Sequence, residues 1–199
     1  MKKLFFLVCT LFCVCVNAQE KIFVKETFDD NKFQWEEFYE KDYSISIEDG
    51  FYILKNNKDE SFVRSVTELP IDVDKNFKIT FKFLIPKIND SYYFGIIFNY
   101  EDENNHTNFV VSEKKYRIWN RANGIVSQSR QSSIILNSGR NKEVVIEMEK
   151  KGNKLIFRVD NMEAVTITKK LYFNTFGFQV EGKNTIKIDE VIMEQITEE

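Results

Sequence analysis

Between residues 22 and 193 this chain repeatedly alternates apolar with polar side chains. Phe77, Ile79, Phe81, Phe83 and Ile85 occupy alternate positions, with Lys78, Thr80 and Lys82 between them; Val144, Ile146 and Met148 interleave with Val145, Glu147 and Glu149. Successive side chains of a strand point to opposite faces, so a period of two marks an antiparallel strand buried on one side and wet on the other. The same reading predicts strands over 22–28, 43–48, 51–55, 61–66, 92–100, 108–112, 116–121, 155–160, 164–168, 176–180 and 185–193. Turn signals separate them: Asp49-Gly50, Asn56-Asn57, Asn123-Gly124, Ser138-Gly139, Lys151-Gly152-Asn153, Asp160-Asn161 and Glu181-Gly182. Many short strands at turn spacing build a sandwich or a barrel. Only residues 30–38 hint at helix, for two turns at most. No linker, low-complexity tract or repeat interrupts the pattern, so residues 19–199 read as one domain.

The first eighteen residues follow a different rule. Lys2 and Lys3 form a basic start, residues 4–16 an apolar stretch, and Val16-Asn17-Ala18 a small-residue cleavage site, which together predict a secretory signal peptide. The apolar stretch falls short of the roughly 20 residues a membrane span needs. Cleavage near Ala18 would remove Cys9, Cys13 and Cys15, leaving a secreted or periplasmic domain without thiols or disulfides. Stability must then come from a core, for which nineteen phenylalanines and 43% hydrophobic residues supply the material. Phe12-Cys13-Val14 ahead of Cys15 fits a lipid-attachment signal poorly.

Loss of Lys2 and Lys3 would take the net charge from −3 to −5. That balance argues against nucleic acid as a partner. The charged runs Lys150-Lys151 and Glu101-Asp102-Glu103 are of both signs and sit beside turn residues, as solvated turns do.

Four segments, in order, resemble concanavalin A-like lectin and glucanase domains. Residues 94–105, F-G-I-I-F-N-Y-E-D-E-N-N, followed by Phe109-Val110-Val111, look like that family's glycine-led hairpin. Phe28-Asp29-Asp30 with Trp35 resembles its opening motif, residues 155–161 its L-x-hydrophobic-x-V-D/N hairpin, and Phe176-Gly177-Phe178 with residues 186–191 its closing strand pair. One departure is that His106-Thr107 stand where the family hairpin usually has an aromatic residue. The resemblance implies an all-β fold, a two-sheet antiparallel jelly-roll sandwich. Its glycines and Asp/Asn residues serve turns and close backbone approach, so it names no ligand.

Hydrolases of this resemblance carry E-x-D-x-x-E on one strand, because a retaining mechanism needs its two carboxyls about 5 to 5.5 Å apart. The pattern is absent. Glu40-Lys41-Asp42 is closed by Ile45, Glu147 and Glu149 read as solvent-facing, and Asp189, Glu190 and Glu194 are interrupted by the core positions Ile188 and Val191. His106 is the only histidine, which excludes a multi-histidine metal site, and its Asn-rich neighbourhood reads as an exposed loop. No resident cofactor is implied. A structural calcium ion would be held by loop carboxylates, for which Asp29, Asp30 and Asp189 are the candidates.

A sugar ring is gripped by a flat aromatic face together with a few planar polar groups. Strand 116–121 offers such a face, setting Trp119 between Arg117 and Arg121 and opposite to Ile118. If Ile118 is core, Trp119 is exposed, with Asn99 and Tyr93 and then Gln128 and Arg130 as extensions of the surface. The chain therefore reads as a non-catalytic, lectin-like module for a glycan or polysaccharide, with Trp119, Arg117, Arg121 and Asn99 as ligand-binding residues. The alternatives are a polysaccharide hydrolase or lyase of the same fold and a module that binds a protein partner.

Overall fold

The computed structural model describes residues 21–87, 90–136 and 140–196. The predicted signal peptide and all three cysteines lie outside them. Among the described residues, fifteen strands make up the regular structure. In chain order they are β1 (Lys21–Glu26), β2 (Phe38–Tyr39), β3 (Tyr43–Glu48), β4 (Phe51–Asn56), β5 (Phe62–Glu68) and β6 (Asn76–Lys87). Then come β7 (Tyr93–Asp102), β8 (Asn105–Val111), β9 (Lys115–Ala122), β10 (Ile125–Ser133) and β11 (Arg140–Lys151). The last four are β12 (Lys154–Val159), β13 (Met162–Thr168), β14 (Thr175–Glu181) and β15 (Asn184–Ile196).

Two antiparallel sheets result. Nine strands form one, in the order β13-β12-β11-β6-β15-β4-β3-β2, and β1 joins it beside β15. Thirteen residues long, β15 has β4 against its first half and β1 against its second. The other sheet has six strands, β10-β9-β8-β7-β14-β5. Neighbours such as β5 and β14 are far apart in sequence, as the crossing connections of a jelly roll require.

The alternation does what it predicts. Phe77, Ile79, Phe81, Phe83 and Ile85 of β6 are buried, as are Val144, Ile146 and Met148 of β11, facing Phe94, Ile96, Phe98, Phe176 and Phe178 from the six-stranded sheet. Each such side chain contributes about 1.5 to 3 kcal/mol by leaving water. At one end Trp35, 2% exposed, packs against Phe178 (ring centroids 5.0 Å apart), Tyr52 (5.3 Å) and Phe28 (5.9 Å). Tyr52 donates to the Glu36 carbonyl (2.7 Å) and shares a hydrogen bond with Ser65 Oγ (2.6 Å), which satisfies its buried hydroxyl.

The helical hint at residues 30–38 is wrong. That stretch is an irregular loop ending in β2. Asn31 closes it around the tryptophan: Trp35 N donates to Asn31 Oδ1 (2.6 Å) and Asn31 Nδ2 donates to the Trp35 carbonyl (2.9 Å). Left-handed backbone at Gln34 (φ 57°) is incompatible with a helix through this stretch, so burial of Trp35 decides the local structure.

A strand the alternation missed, β10, edges the six-stranded sheet. Its sequence, I-V-S-Q-S-R-Q-S-S, is mostly polar on both faces. The turn before it was the available signal, since Asn123 (φ 50°) and Gly124 (φ 79°) form a two-residue hairpin turn with both residues left-handed.

Candidate functional site

The site is built on the outer face of the six-stranded sheet, the side turned away from the core. Ile118 is buried at 5% exposure, so β9 presents Arg117, Trp119 and Arg121 outward, and all three are partly exposed. Strand register extends this line into two rows. One runs Ser129, Trp119, Asn108, Ile97, Gly177, Val66; the other runs Gln131, Arg117, Val110, Gly95, Gln179, Arg64.

The floor of the face is two glycines. A Cβ on Gly177 would meet the Ser65 carbonyl oxygen at 1.9 Å, and one on Gly95 would meet that of Phe109 at 2.2 Å. The neighbouring strands come too close for any other residue. Ile97, Asn108 and Val110 share this outward side yet are fully buried, so long side chains rooted around them lie down over the sheet.

Arg117 lies at one end. Its guanidinium is 3.7 Å from the Tyr93 ring centroid and 5.2 Å from that of Trp119, and it is ion-paired to Glu181. Glu181 also accepts from Gln179 Nε2 (2.6 Å). Tyr93, Arg117 and Glu181 line a shallow cleft of about 360 Å³ together with Phe62 and Ser91. Arg64, rooted in the same row as Arg117 and stacked on Phe62 (4.3 Å), is salt-bridged to Glu103 in the β7–β8 turn (2.9 Å), and Arg121 stands opposite His106 near that turn.

Unsatisfied polar atoms concentrate here. Asn108 is fully buried, and neither its Oδ1 nor its Nδ2 has a hydrogen-bond partner; Arg64 Nη1, Arg117 Nε and Arg121 Nε are likewise buried without acceptors. Buried polar groups are nearly always paired, and leaving one unpaired costs about 1 to 3 kcal/mol. Five such atoms on one face mark a surface shaped by something other than stability.

A second cleft of about 330 Å³ opens between the sheets, lined by Thr107, Asn120, Thr166, Thr168 and Lys169 among others. Its central amide is satisfied: Asn120 Oδ1 accepts from Thr107 Oγ1 (2.9 Å) and Lys169 Nζ (2.8 Å), and Asn120 Nδ2 donates to Ser127 Oγ (3.1 Å). Burial holds the Lys169 ammonium below its ordinary pKa.

Several sequence expectations need correcting. Asn99 is not a free amide beside Trp119: its Oδ1 accepts from the backbone N–H groups of Tyr172 (2.6 Å) and Phe173 (3.2 Å), tying down that segment. Arg130 pairs with Ile118, which puts it on the side opposite to Trp119. Gln128 pairs with Asn120, again not with the Trp119 row. His106 is no exposed loop residue; it is 4% exposed on β8, stacked on Tyr100 (5.7 Å), with Nδ1 3.1 Å from the Asp102 carbonyl. Burial depresses its pKa, and the charges of Arg64 and Arg121 push the same way.

The calcium candidates do not gather. Asp29 accepts from Thr27 Oγ1 (2.7 Å), Asp189 is exposed on β15, and among the described residues no three His, Cys, Asp or Glu side chains group as metal ligands. Glu149 is held by Arg158 (2.8 Å) and Lys151 (2.7 Å), and Glu147 by Lys78 (3.3 Å), so the two act as ion-pair partners on the nine-stranded sheet. Glu190 is buried between Lys25 and Lys82.

No protein-family model and no curated protein matches this chain. Solved structures do. The laminarinase from Rhodothermus marinus superposes with a TM-score of 0.63 at 11% identity, covering 91% of this chain and 100% of its own. A Bacillus subtilis protein of unknown function with a galectin-like fold gives 0.64 at 10%, covering 88% and 96%. The carbohydrate binding module CBM66 from Bacillus subtilis gives 0.53 at 14%, covering 78% and 91%. The fold is thus the concanavalin A-like jelly roll. Among the described residues no helix is long and apolar enough to cross a membrane.

Proposed function

We propose that this protein is a carbohydrate-binding module whose glycan lies along the outer face of the six-stranded sheet, with Trp119 as the stacking platform. The observation that carries the reading is the partly exposed Trp119 directly opposite the buried, unpartnered amide of Asn108, on a face with guanidinium nitrogens that also lack acceptors. The C–H face of a sugar ring covers an indole, while its hydroxyls both donate and accept. Asn108 offers one acceptor and one donor to such a hydroxyl pair, and the arginines offer donors alone. Asn108 is fully buried, so it meets a ligand only when the side chains that cover it move; arginine rotamers change at small cost, and Arg121 has no ion pair among the described residues to hold it. Arg117 is braced by Tyr93 and Glu181, which limits the entropy lost on binding. The solved structures of similar fold that are laminarinases and carbohydrate binding modules add support of a general kind.

The test is binding of the purified protein to a broad glycan and polysaccharide array, with calcium present and chelated. Saturable binding that disappears in Trp119→Ala while the far-ultraviolet spectrum is kept is the expected result. Silence across the array from folded protein contradicts the reading and directs the search to a protein partner.

A further inference from the structure

We infer that the glycan taken by this face carries an acidic group, seated between Arg64 and Arg121 at the β7–β8 end of the sheet. The inference rests on the carbohydrate reading above and adds the class of sugar.

Arg64 comes from β5 and Arg121 from β9, on strands separated by β14, β7 and β8. Both are directed to the same hairpin. Arg64 reaches across β14 to Glu103 in the turn, and Arg121 is registered against His106 just beyond it. The carboxylates at this end are committed. Glu103 serves both Arg64 (2.9 Å) and the Tyr100 hydroxyl (3.2 Å); Asp102 accepts from Asn104 N (2.6 Å) and from Asn105 Nδ2 (3.0 and 3.1 Å). Arg121 has no ion pair among the described residues, and Arg64 Nη1 and Arg121 Nε are buried without acceptors. Arg64 thus has Glu103 and Arg121 has no carboxylate among the described residues, and each keeps one buried N–H group without an acceptor.

Burial holds the Arg64 guanidinium below its ordinary pKa, and the nearby positive charge of Arg121 works in the same direction. His106, Tyr100 and Asp102 complete the set of titratable neighbours. An incoming anion relieves this imbalance, and the planar fork of arginine matches a carboxylate or a sulfate through two parallel hydrogen bonds. Arg117 differs because Glu181 already neutralises it. Of the three arginines of this face, Arg121 is thus the one without a carboxylate partner among the described residues, in a chain whose net charge is −3. Trp119 and Arg121 sit two residues apart on one strand, roughly 7 Å, so a stacked ring can place its own or its neighbour's acidic substituent between the arginines.

The experiment measures affinity for alginate, polygalacturonate, hyaluronan and heparin beside their carboxyl-reduced or desulfated forms. The wild-type protein, Arg64→Gln, Arg121→Gln and Arg121→Lys are compared. The expected result is at least tenfold tighter binding of one acidic form over its neutral counterpart, a preference cut about tenfold by either glutamine variant and partly kept by Arg121→Lys. Whether carboxyl reduction or desulfation abolishes the preference identifies the group. Equal binding of acidic and neutral forms, still lost in Trp119→Ala, overturns the acidic inference and leaves the carbohydrate reading standing. No binding of any form by folded protein overturns both.

Discussion

Trp119 and Asn108 stand directly opposite one another across the β8–β9 ladder, and their environments are inverted: the indole is partly exposed, while the amide is fully buried with both polar atoms unpartnered. In a face selected for stability the assignments would be exchanged, since an apolar ring gains from burial and an amide loses. Under the proposed function, the pair belongs with Arg117 and Arg121 as a surface kept ready for a polar ligand at a cost in stability.

That cost is measurable at Asn108. Replacing it with the similarly sized Leu removes an unsatisfied donor and acceptor, so Asn108→Leu is expected to match or exceed the wild-type melting temperature while glycan affinity falls at least tenfold. A drop of several degrees would show that the amide has a structural role.

The two tryptophans separate cleanly by substitution. Trp35→Ala empties the aromatic cluster around Phe28, Tyr52 and Phe178 and should cost about 3 to 5 kcal/mol, measured by denaturant unfolding. Trp119→Ala removes a ring that is partly exposed and should cost less than Trp35→Ala, with loss of binding as its main effect.

Gly177→Ala tests the floor of the site. The added Cβ would lie 1.9 Å from the Ser65 carbonyl oxygen and 2.7 Å from Val66 Cα, both backbone atoms that no rotamer can move. A loss of about 3 kcal/mol or more is expected, and an alanine variant of wild-type stability would rule out the close β5–β14 approach.

His106 makes stability depend on pH. Its folded-state pKa lies below the ordinary value of about 6.5 because burial disfavours the imidazolium, with Arg64 and Arg121 adding to the effect against the Asp102 carbonyl contact. Below about pH 6.5 the unfolded chain takes up a proton that the folded one refuses. Stability from this residue is thus complete above that pH and is lost as pH falls through the folded pKa. Urea midpoints between pH 7.5 and 5 should fall more steeply for the wild-type protein than for His106→Gln. Parallel curves would contradict the depressed pKa.

The sheets were legible because alternation is a local signal: β6 and β11 announce their buried faces residue by residue. Trp119's outward side followed from Ile118 by the same rule. β10 was missed because an edge strand wetted on both sides has no alternation to show, and only Asn123-Gly124 announced it. His106 was misread because its neighbours Asn104 and Asn105 look like loop, whereas the turn is only Glu103-Asn104, closed by pairing of Asp102 with Asn105. Arg64 and Asn108 escaped for a different reason. The strand order β10-β9-β8-β7-β14-β5 brings residue 64 onto the face of residue 117, and no spacing in the sequence encodes that meeting.

The most direct test of glycan binding at the Trp119 face uses the chain's having only two tryptophans. Nitrogen-edited NMR of the labelled protein gives one indole N–H signal from buried Trp35 and one from partly exposed Trp119, assigned with Trp119→Phe. Titration with the tightest glycan from the array should shift the Trp119 signal saturably and leave that of Trp35 in place. Saturable binding that leaves the Trp119 signal unmoved would put the ligand elsewhere and contradict the account.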